Sequence, residues 1–148
     1  MHIIRTYRKE DNEELLQLLR LNTPLYFAIA EEADFREYLE KHLESHFVVE
    51  ENGAIVGSGG INYFAEDKLA RLSWDIVHPG FQGKGIGKAL TLHRVEQIKQ
   101  NLAINLIVVR TTQLVYKFYE KMGFKLEEVQ KDFWAKGFDL YKMTLRIQ

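Results

Sequence analysis

The chain contains no cysteine. Disulfide scaffolds, thiol nucleophiles and cysteine-based metal centres are excluded at once. Proline occurs twice, at Pro24 and Pro79, so ring-imposed breaks are confined to two places. No stretch approaches the roughly 18 consecutive apolar residues of a membrane-spanning helix. Met1 to Leu21 carries charges throughout, from Arg5 to Glu14, and has no uncharged apolar centre, so it does not read as a secretory signal. The expectation is a cytoplasmic protein with no membrane partner. A surplus of one charge is also missing: 20 Lys and Arg face 21 Asp and Glu, a formal net charge of -1. Nothing global attracts nucleic acid, and no nucleic-acid partner is expected.

What is present suits one folded unit. The 148 residues are 46% hydrophobic and 28% charged, which excludes disorder and fibres and allows a core without staples. No linker, repeat or low-complexity segment interrupts residues 1–148, read as a single domain.

His2 to Tyr7 reads as a first strand. Asp11 followed by Glu14 has capping-box spacing, and Leu15, Leu16, Leu18 and Leu19 give the ensuing helix a broad apolar face. Asp34 and Glu37 offer a second box, with Phe35, Tyr38, Leu39 and His42 along one side of the helix that follows. His46 to Glu50 and Ala54 to Gly57 read as a hairpin about Asn52-Gly53. Ser58-Gly59-Gly60-Ile61-Asn62-Tyr63 is glycine-rich for a strand and signals close backbone approach or a bend. Leu72, Trp74 and Ile76 alternate with Arg71, Ser73 and Asp75 in a fourth strand ending near Val77.

A glycine-dense loop then leads into a long helix reaching about Gln100. Its apolar residues, Ile86, Ala89, Leu90, Leu92, Val95 and Ile98, form no single stripe and predict burial on more than one side. Ile104 to Val109 reads as a buried strand, and Leu114 to Met122 as a helix stopped by Gly123. Lys125 to Val129 and Asp139 to Leu145 are the closing strands, with Trp134-Ala135-Lys136-Gly137 as the turn between them. The order predicts an α/β, mixed α+β, architecture with one central sheet.

The most informative segment is Pro79-Gly80-Phe81-Gln82-Gly83-Lys84-Gly85-Ile86-Gly87-Lys88-Ala89-Leu90. Gly83, Gly85 and Gly87 let the chain turn sharply with N–H groups aimed at one centre, a helix N-terminus follows, and Lys84 and Lys88 add charge. These features point to a phosphate or diphosphate cradle. The dinucleotide fingerprint fails, since its third glycine falls on Lys88 or Leu90. The P-loop also fails, because Gly83 and Gly87 stand too close and Ala89 follows Lys88.

Pro79 to Leu90 resembles the acyl-CoA diphosphate loop of the GNAT superfamily of N-acyltransferases, with pattern Gln/Arg-x-x-Gly-x-Gly/Ala and Gln82 in place of the commoner Arg. Phe118-Tyr119-Glu120-Lys121-Met122-Gly123-Phe124 is similar to a second segment of that family, in the expected order. Thr112 stands where many members carry Asn. The resemblance implies a mixed sheet flanked by helices, with strands four and five splayed apart. It implies acetyl-CoA as cosubstrate, its pantetheine on the strand-four backbone near Ile76 and Val77, and its diphosphate held by Gln82, Gly83, Lys84, Gly85, Ile86, Gly87 and Lys88, with Thr112 beside the pocket. It also makes Tyr119 the general acid facing the thioester sulfur.

Asp75 is a carboxylate beside that opening and the candidate base, directly or through water, or else a polar residue on the other strand face; Glu50, Glu66 and Asp67 are weaker rivals. The acceptor wall is expected from the helices between Asp11 and Leu43, with Tyr26, Phe27, Tyr63, Phe64 and Trp74, and from Phe133 and Trp134. Glu31, Glu32, Asp34 and Glu37 could attract a cationic amine or form a solvated helix face. His78 could orient backbone or phosphate, and His93 reads as a partly buried structural residue. No cluster has metal-ligand spacing, so no metal is assigned. The implied activity is acetyl transfer to a primary amine of a small molecule or peptide in a ternary complex; a non-catalytic acyl-CoA sensor is the alternative, O-acyl transfer stays open, and a homodimer could pair through the last strands.

Overall fold

Period-two patterning and short turns build seven strands that share one sheet. A computed structural model describes residues 2–148. The strands are β1 (His2–Thr6), β2 (Ser45–Glu51), β3 (Ala54–Phe64), β4 (Leu69–Val77), β5 (Leu106–Thr111), β6 (Lys125–Ala135) and β7 (Phe138–Arg146). Their order is β1-β2-β3-β4-β5-β7-β6. All neighbours are antiparallel except β4 and β5, which run parallel because a helix carries the chain between them. The helices are α1 (Asn12–Leu21), α2 (Glu31–Glu37), α3 (Ile86–Lys99) and α4 (Tyr116–Lys121). A single π turn, Tyr38–His42, prolongs α2. No helix among the described residues is long and apolar enough to cross a membrane.

The sheet separates two cores. On one face Ile86, Leu90, Val95 and Ile98 of α3 and Tyr119 of α4 pack on Val49, Ile61, Leu72, Ile107, Val109 and Met143. On the other, Leu15, Leu16, Leu18 and Leu19 of α1 and Phe35 of α2 pack on Val48, Ile55 and Ile76. Burying each such side chain contributes about 1.5–3 kcal/mol, so both helix layers are clamped to the strands.

Several local expectations are revised. Asp11 does not cap α1 through its side chain. Its carboxylate instead accepts from both terminal nitrogens of Arg5, at 2.8 and 2.9 Å, and from the Arg8 N–H at 2.7 Å. Glu14 reaches across to the Ile55 N–H at 2.8 Å, stapling α1 to β3. α2 starts before the Asp34–Glu37 pair, where Glu31 accepts from the Ala28 N–H at 2.8 Å, and His42 turns out to solvent. β6 does not stop at Val129 but continues to Ala135 through an irregular stretch, with Asp132 at φ 54° and the turn confined to Lys136 and Gly137.

α3 buries one broad face, not several: Ile86, Leu90, Thr91, Arg94, Val95 and Ile98 point inward, while Leu92 is 47% exposed. An apolar-only reading misses that face because Thr91 and Arg94 belong to it.

Candidate active site

The strict alternation expected of β4 is broken by a bulge. Ser73 opposes Gly60 and Ile76 opposes Ser58, so Trp74 and Asp75 together face Gly59 alone. Trp74 takes the left-handed conformation this demands, φ 55°, and is held there by Phe27, Phe35 and Tyr38, with Phe35 at 4.8 Å between ring centroids. The extra residue inverts the phase of the strand. Leu72 packs in the α3 core, whereas Trp74 and Ile76 pack on the α1–α2 side. Asp75 is thereby moved to the α3–α4 side of the sheet.

On that side Asp75 meets two buried partners. Arg94 Nη1 donates to Asp75 Oδ1 at 2.6 Å and Arg94 Nη2 donates to Oδ2 at 2.8 Å. The Tyr119 hydroxyl donates to the same Oδ2 at 2.5 Å. Arg94 is wholly buried, and its remaining donors reach the carbonyls of Gly60 (3.0 Å) and Leu90 (3.2 Å). Burial opposes the guanidinium's charge, but the charge and hydrogen bonds of Asp75 outweigh it and raise its pKa. Burial, reinforced by the negative charge of Asp75 and opposed by Arg94, pushes the Tyr119 phenol well above its ordinary range. The phenol is therefore a proton-bearing group throughout physiological pH.

Glycine makes room for this cluster. A Cβ on Gly59 would lie 2.8 Å from Arg94 Nη1 and 3.0 Å from Asp75 Oδ1. On the opposite face a Cβ on Gly60 would strike the Tyr38 hydroxyl and His46 Nδ1. Those two atoms are joined at 3.0 Å, and His46 Nε2 continues to the Ser58 hydroxyl at 2.7 Å. Burial, with Arg94 adding its charge, pulls the His46 pKa down to about 3.

Beyond Leu72 and Val109, β4 and β5 no longer pair. The His78 N–H donates to the Val56 carbonyl at 2.8 Å. By strand alternation Val77 turns its N–H and C=O toward the splayed edge, while those of Ile76 face β3. The opening is a cleft of about 1020 Å³ that takes in Asp75, Val77 and Tyr119 together with Gln82, Gly83, Gly85, Gly87, Lys88 and Thr112.

At its rim Gly83 (φ 78°) and Gly85 (φ 82°) are left-handed, and nothing lies within 4 Å of where a Cβ would stand on either. The first helical bond of α3 runs from the Ala89 N–H to the Gly85 carbonyl at 3.0 Å. The N–H groups of Ile86, Gly87 and Lys88 are thus left without intrahelical acceptors, at the positive end of a 14-residue helix. Gly87 packs on Phe118, where a Cβ would come within 3.4 Å. The acetyltransferase (GNAT) domain family matches residues 42–126, which span β2 through α4. The chain belongs to the GNAT acetyltransferases.

Comparison with individual proteins agrees with that membership. An amino-acid acetyltransferase of Pasteurella multocida is 30% identical over 94 residues, covering 64% of this chain. The chain spans about a fifth of that relative's length, 21% being matched. The ribosomal-protein-S18-alanine N-acetyltransferase of Escherichia coli shares the fold, with TM-score 0.82 and 17% identity over 100% of this chain and 95% of its own. An aminoglycoside 6'-N-acetyltransferase solved with coenzyme A has TM-score 0.78 and 18% identity over 99% and 97% of the two chains. These likenesses fix the fold as that of a GNAT protein.

Within this GNAT chain the residues expected at the site fall into three groups. Tyr119, Asp75, Val77 and the glycine loop converge on one cleft. Lys84 and Ile86 are less direct: the Lys84 ammonium sits 5.1 Å from the Phe81 ring centroid, and the Ile86 side chain is core, leaving only its amide. Gln82 accepts from the Tyr26 hydroxyl at 3.2 Å, tying the loop to the segment after α1. Thr112 shapes the entry to α4, its hydroxyl accepting from the Leu114 N–H at 3.2 Å, and His78 Nδ1 accepts from the Gly80 N–H at 2.9 Å. Glu50 pairs with Arg5 at 2.7 Å, and Glu66 and Asp67 form the short turn between β3 and β4, all outside the cleft. His93 is exposed and packs edge-on to Phe47.

The expected acceptor wall is partly present. Tyr26, Phe27, Phe64, Trp74 and Trp134 line the cleft, whereas Tyr63 and Phe133 do not. Of the acidic run, Glu31 and Asp34 reach it, while Glu32 is spent on Arg20 and Arg36. Sequence reasoning missed Arg94. Its signal was positional, four residues after Leu90 and four before Ile98, which places it on the buried face of α3.

Proposed function

We propose that this protein is an N-acetyltransferase that passes the acetyl group of acetyl-CoA to a primary amine of a small molecule or peptide within a ternary complex. One observation carries the reading: an anion cradle and a buried proton-bearing phenol open into one cleft, at the place where two strands part. The free N–H groups of Ile86, Gly87 and Lys88, with the Lys88 ammonium, suit a diphosphate. The outward N–H and C=O of Val77 suit an extended pantetheine arm laid along β4 as an added strand.

In this reading the neutral amine attacks the thioester carbonyl carbon. The C–N bond forms, the C–S bond breaks, and the departing thiolate takes its proton from Tyr119. The proton shed by nitrogen leaves to water in the open cleft, and the phenol is reprotonated from solvent. Asp75 is assigned to aiming the phenol, not to deprotonating the amine, because its two oxygens already accept three hydrogen bonds. When the phenol O–H swings to sulfur, Arg94 Nη2 keeps Oδ2 partnered. That arrangement lowers the cost of giving up the phenol's hydrogen bond to Asp75.

The test is acetyl-CoA turnover against a panel of amines, followed as free thiol and N-acetyl product in equal amounts. The backbone amide signals of 83–88 should move on adding acetyl-CoA. Unmoved signals at saturation would overturn the reading. Shifted signals without turnover on any amine would leave the non-catalytic acyl-CoA sensor in its place.

A further inference from the structure

Arg71 and Arg110 are two charges of the cleft that the acetyl-transfer step does not use. Both line it. In β4, Ala70 and Leu72 point into the α3–α4 core, so Arg71 between them points to the α1–α2 side. In β5, Ile107 and Val109 do the same, which sends Arg110 to that side as well. Arg71 is in register with Val108, so Arg110 lies two residues further along the adjacent strand, a same-face step of about 7 Å. Both arginines therefore project from the same face at the root of the splay, across the sheet from Tyr119, near enough for the charge of Arg110 to act on Arg71.

Neither guanidinium has an acid partner or a hydrogen bond among the described residues; each is held only by an aromatic face. Arg71 lies 4.8 Å from the Phe64 ring centroid and Arg110 lies 5.5 Å from that of Trp134. Trp134 is itself fixed by its indole N–H, which donates to the Thr111 carbonyl at 3.2 Å. The acid carried by the nearest loop, Glu44, spends both oxygens on Asn62 and the Tyr63 N–H. Partial burial pulls both arginine pKa values down, and for Arg71 the charge of Arg110 adds to it. Two cations, Arg71 partly buried and Arg110 exposed to the cleft, that repel each other and are stacked in place without an ion-pair partner are an arrangement a bound oxyanion would complete.

We propose that Arg71 and Arg110 bind an oxyanion of the acceptor, so that the substrate is an anionic amine carrying a carboxylate or phosphate group. The proposal rests on the acetyltransferase reading and deepens it. The acceptor lies on the α1–α2 side with its anion on the arginine pair and its amine reaching through the splay toward the thioester. Diphosphate binding at the α3 N-terminus is a separate anion site, since Arg71 and Arg110 belong to strands, not to the loop.

The experiment compares matched amines with the intact protein and acetyl-CoA. One arm sets a series of L-amino acids against their carboxamides, and the other sets O-phosphoethanolamine against ethanolamine. The expected result is a kcat/KM at least tenfold higher for the charged member in one arm, which also identifies the anion. Arg71→Gln and Arg110→Gln should each raise the acceptor KM by ten- to a hundredfold, leave the KM for acetyl-CoA unchanged, and abolish the preference. The Arg71 and Arg110 Nε–H signals should shift with the preferred acceptor's N-acetyl product and not with its neutral counterpart. Equal rates for charged and neutral members in both arms, with acetyl-CoA still bound, would overturn the proposal and leave the enzymatic reading standing. No acetyl-CoA binding by the wild type would remove both. Acetyl-CoA binding by the variants reports that they fold.

Discussion

Asp75 and Arg94 form a two-pronged ion pair, 2.6 and 2.8 Å, across a strand position that must be glycine. The bulge at Trp74 turns the carboxylate to this face, Gly59 leaves the space, and α3 brings the cation. The pair then presents one oxygen to Tyr119. Each of these dependencies can be tested separately.

Tyr119→Phe removes the proton donor but little volume. The expected outcome is a fall in kcat of about 10²–10⁴, the range for a positioned general acid, with the KM for acetyl-CoA little changed. Steady-state kinetics check it, and unchanged turnover would remove Tyr119 from the mechanism.

Arg94→Met leaves the Asp75 carboxylate, 18% exposed at its side chain, without its counter-charge. A loss of about 3 kcal/mol in unfolding free energy is expected, as for a broken buried pair. Adding Asp75→Leu should recover most of that stability but not the activity. Urea denaturation of the single and double variants measures both parts.

Gly59→Ala and Gly60→Ala differ by one position and strike different networks. Each should cost about 1–3 kcal/mol through overpacking. Gly59→Ala displaces Arg94 and Asp75 and should also lower kcat, whereas Gly60→Ala displaces the Tyr38–His46 bond on the other face. Equal effects of the two on kcat at equal stability would contradict the assignment.

Gly85→Ala tests the loop by backbone alone. Nothing lies within 4 Å of the added methyl, but φ 82° is strained for any L side chain, by about 1–2 kcal/mol. The KM for acetyl-CoA should rise while kcat at saturation changes little.

His46 gives a pH signature. Its pKa is about 3 in the fold, against about 6.5 for a free imidazole, so the unfolded chain binds the proton first as pH falls. Stability from this group is full above about pH 6.5 and declines toward pH 3, by about 1.4 kcal/mol per pH unit within that window. His46→Gln should flatten this part of the profile. The difference between the two proteins' denaturation curves at pH 6.5 and 4.5 measures it, and a constant difference would contradict the assignment.

The sequence by itself determined the α/β class, the position of nearly every element and the glycine loop. Those features are local: apolar period, turn glycines and helix ends report on neighbours within a few residues. Tyr119 was legible from its short motif, and Asp75 from its place before Val77. Only the tertiary structure decided that Asp75 faces Tyr119, because a one-residue bulge reverses every side chain after it and leaves no mark in the alternation of Leu72, Trp74 and Ile76. It also decided that Arg94 is a core residue and that Arg71 and Arg110 stand together. A charge on a helix or strand reads as solvated until a partner distant in sequence is known, and here the partners come from three separate strands and two helices.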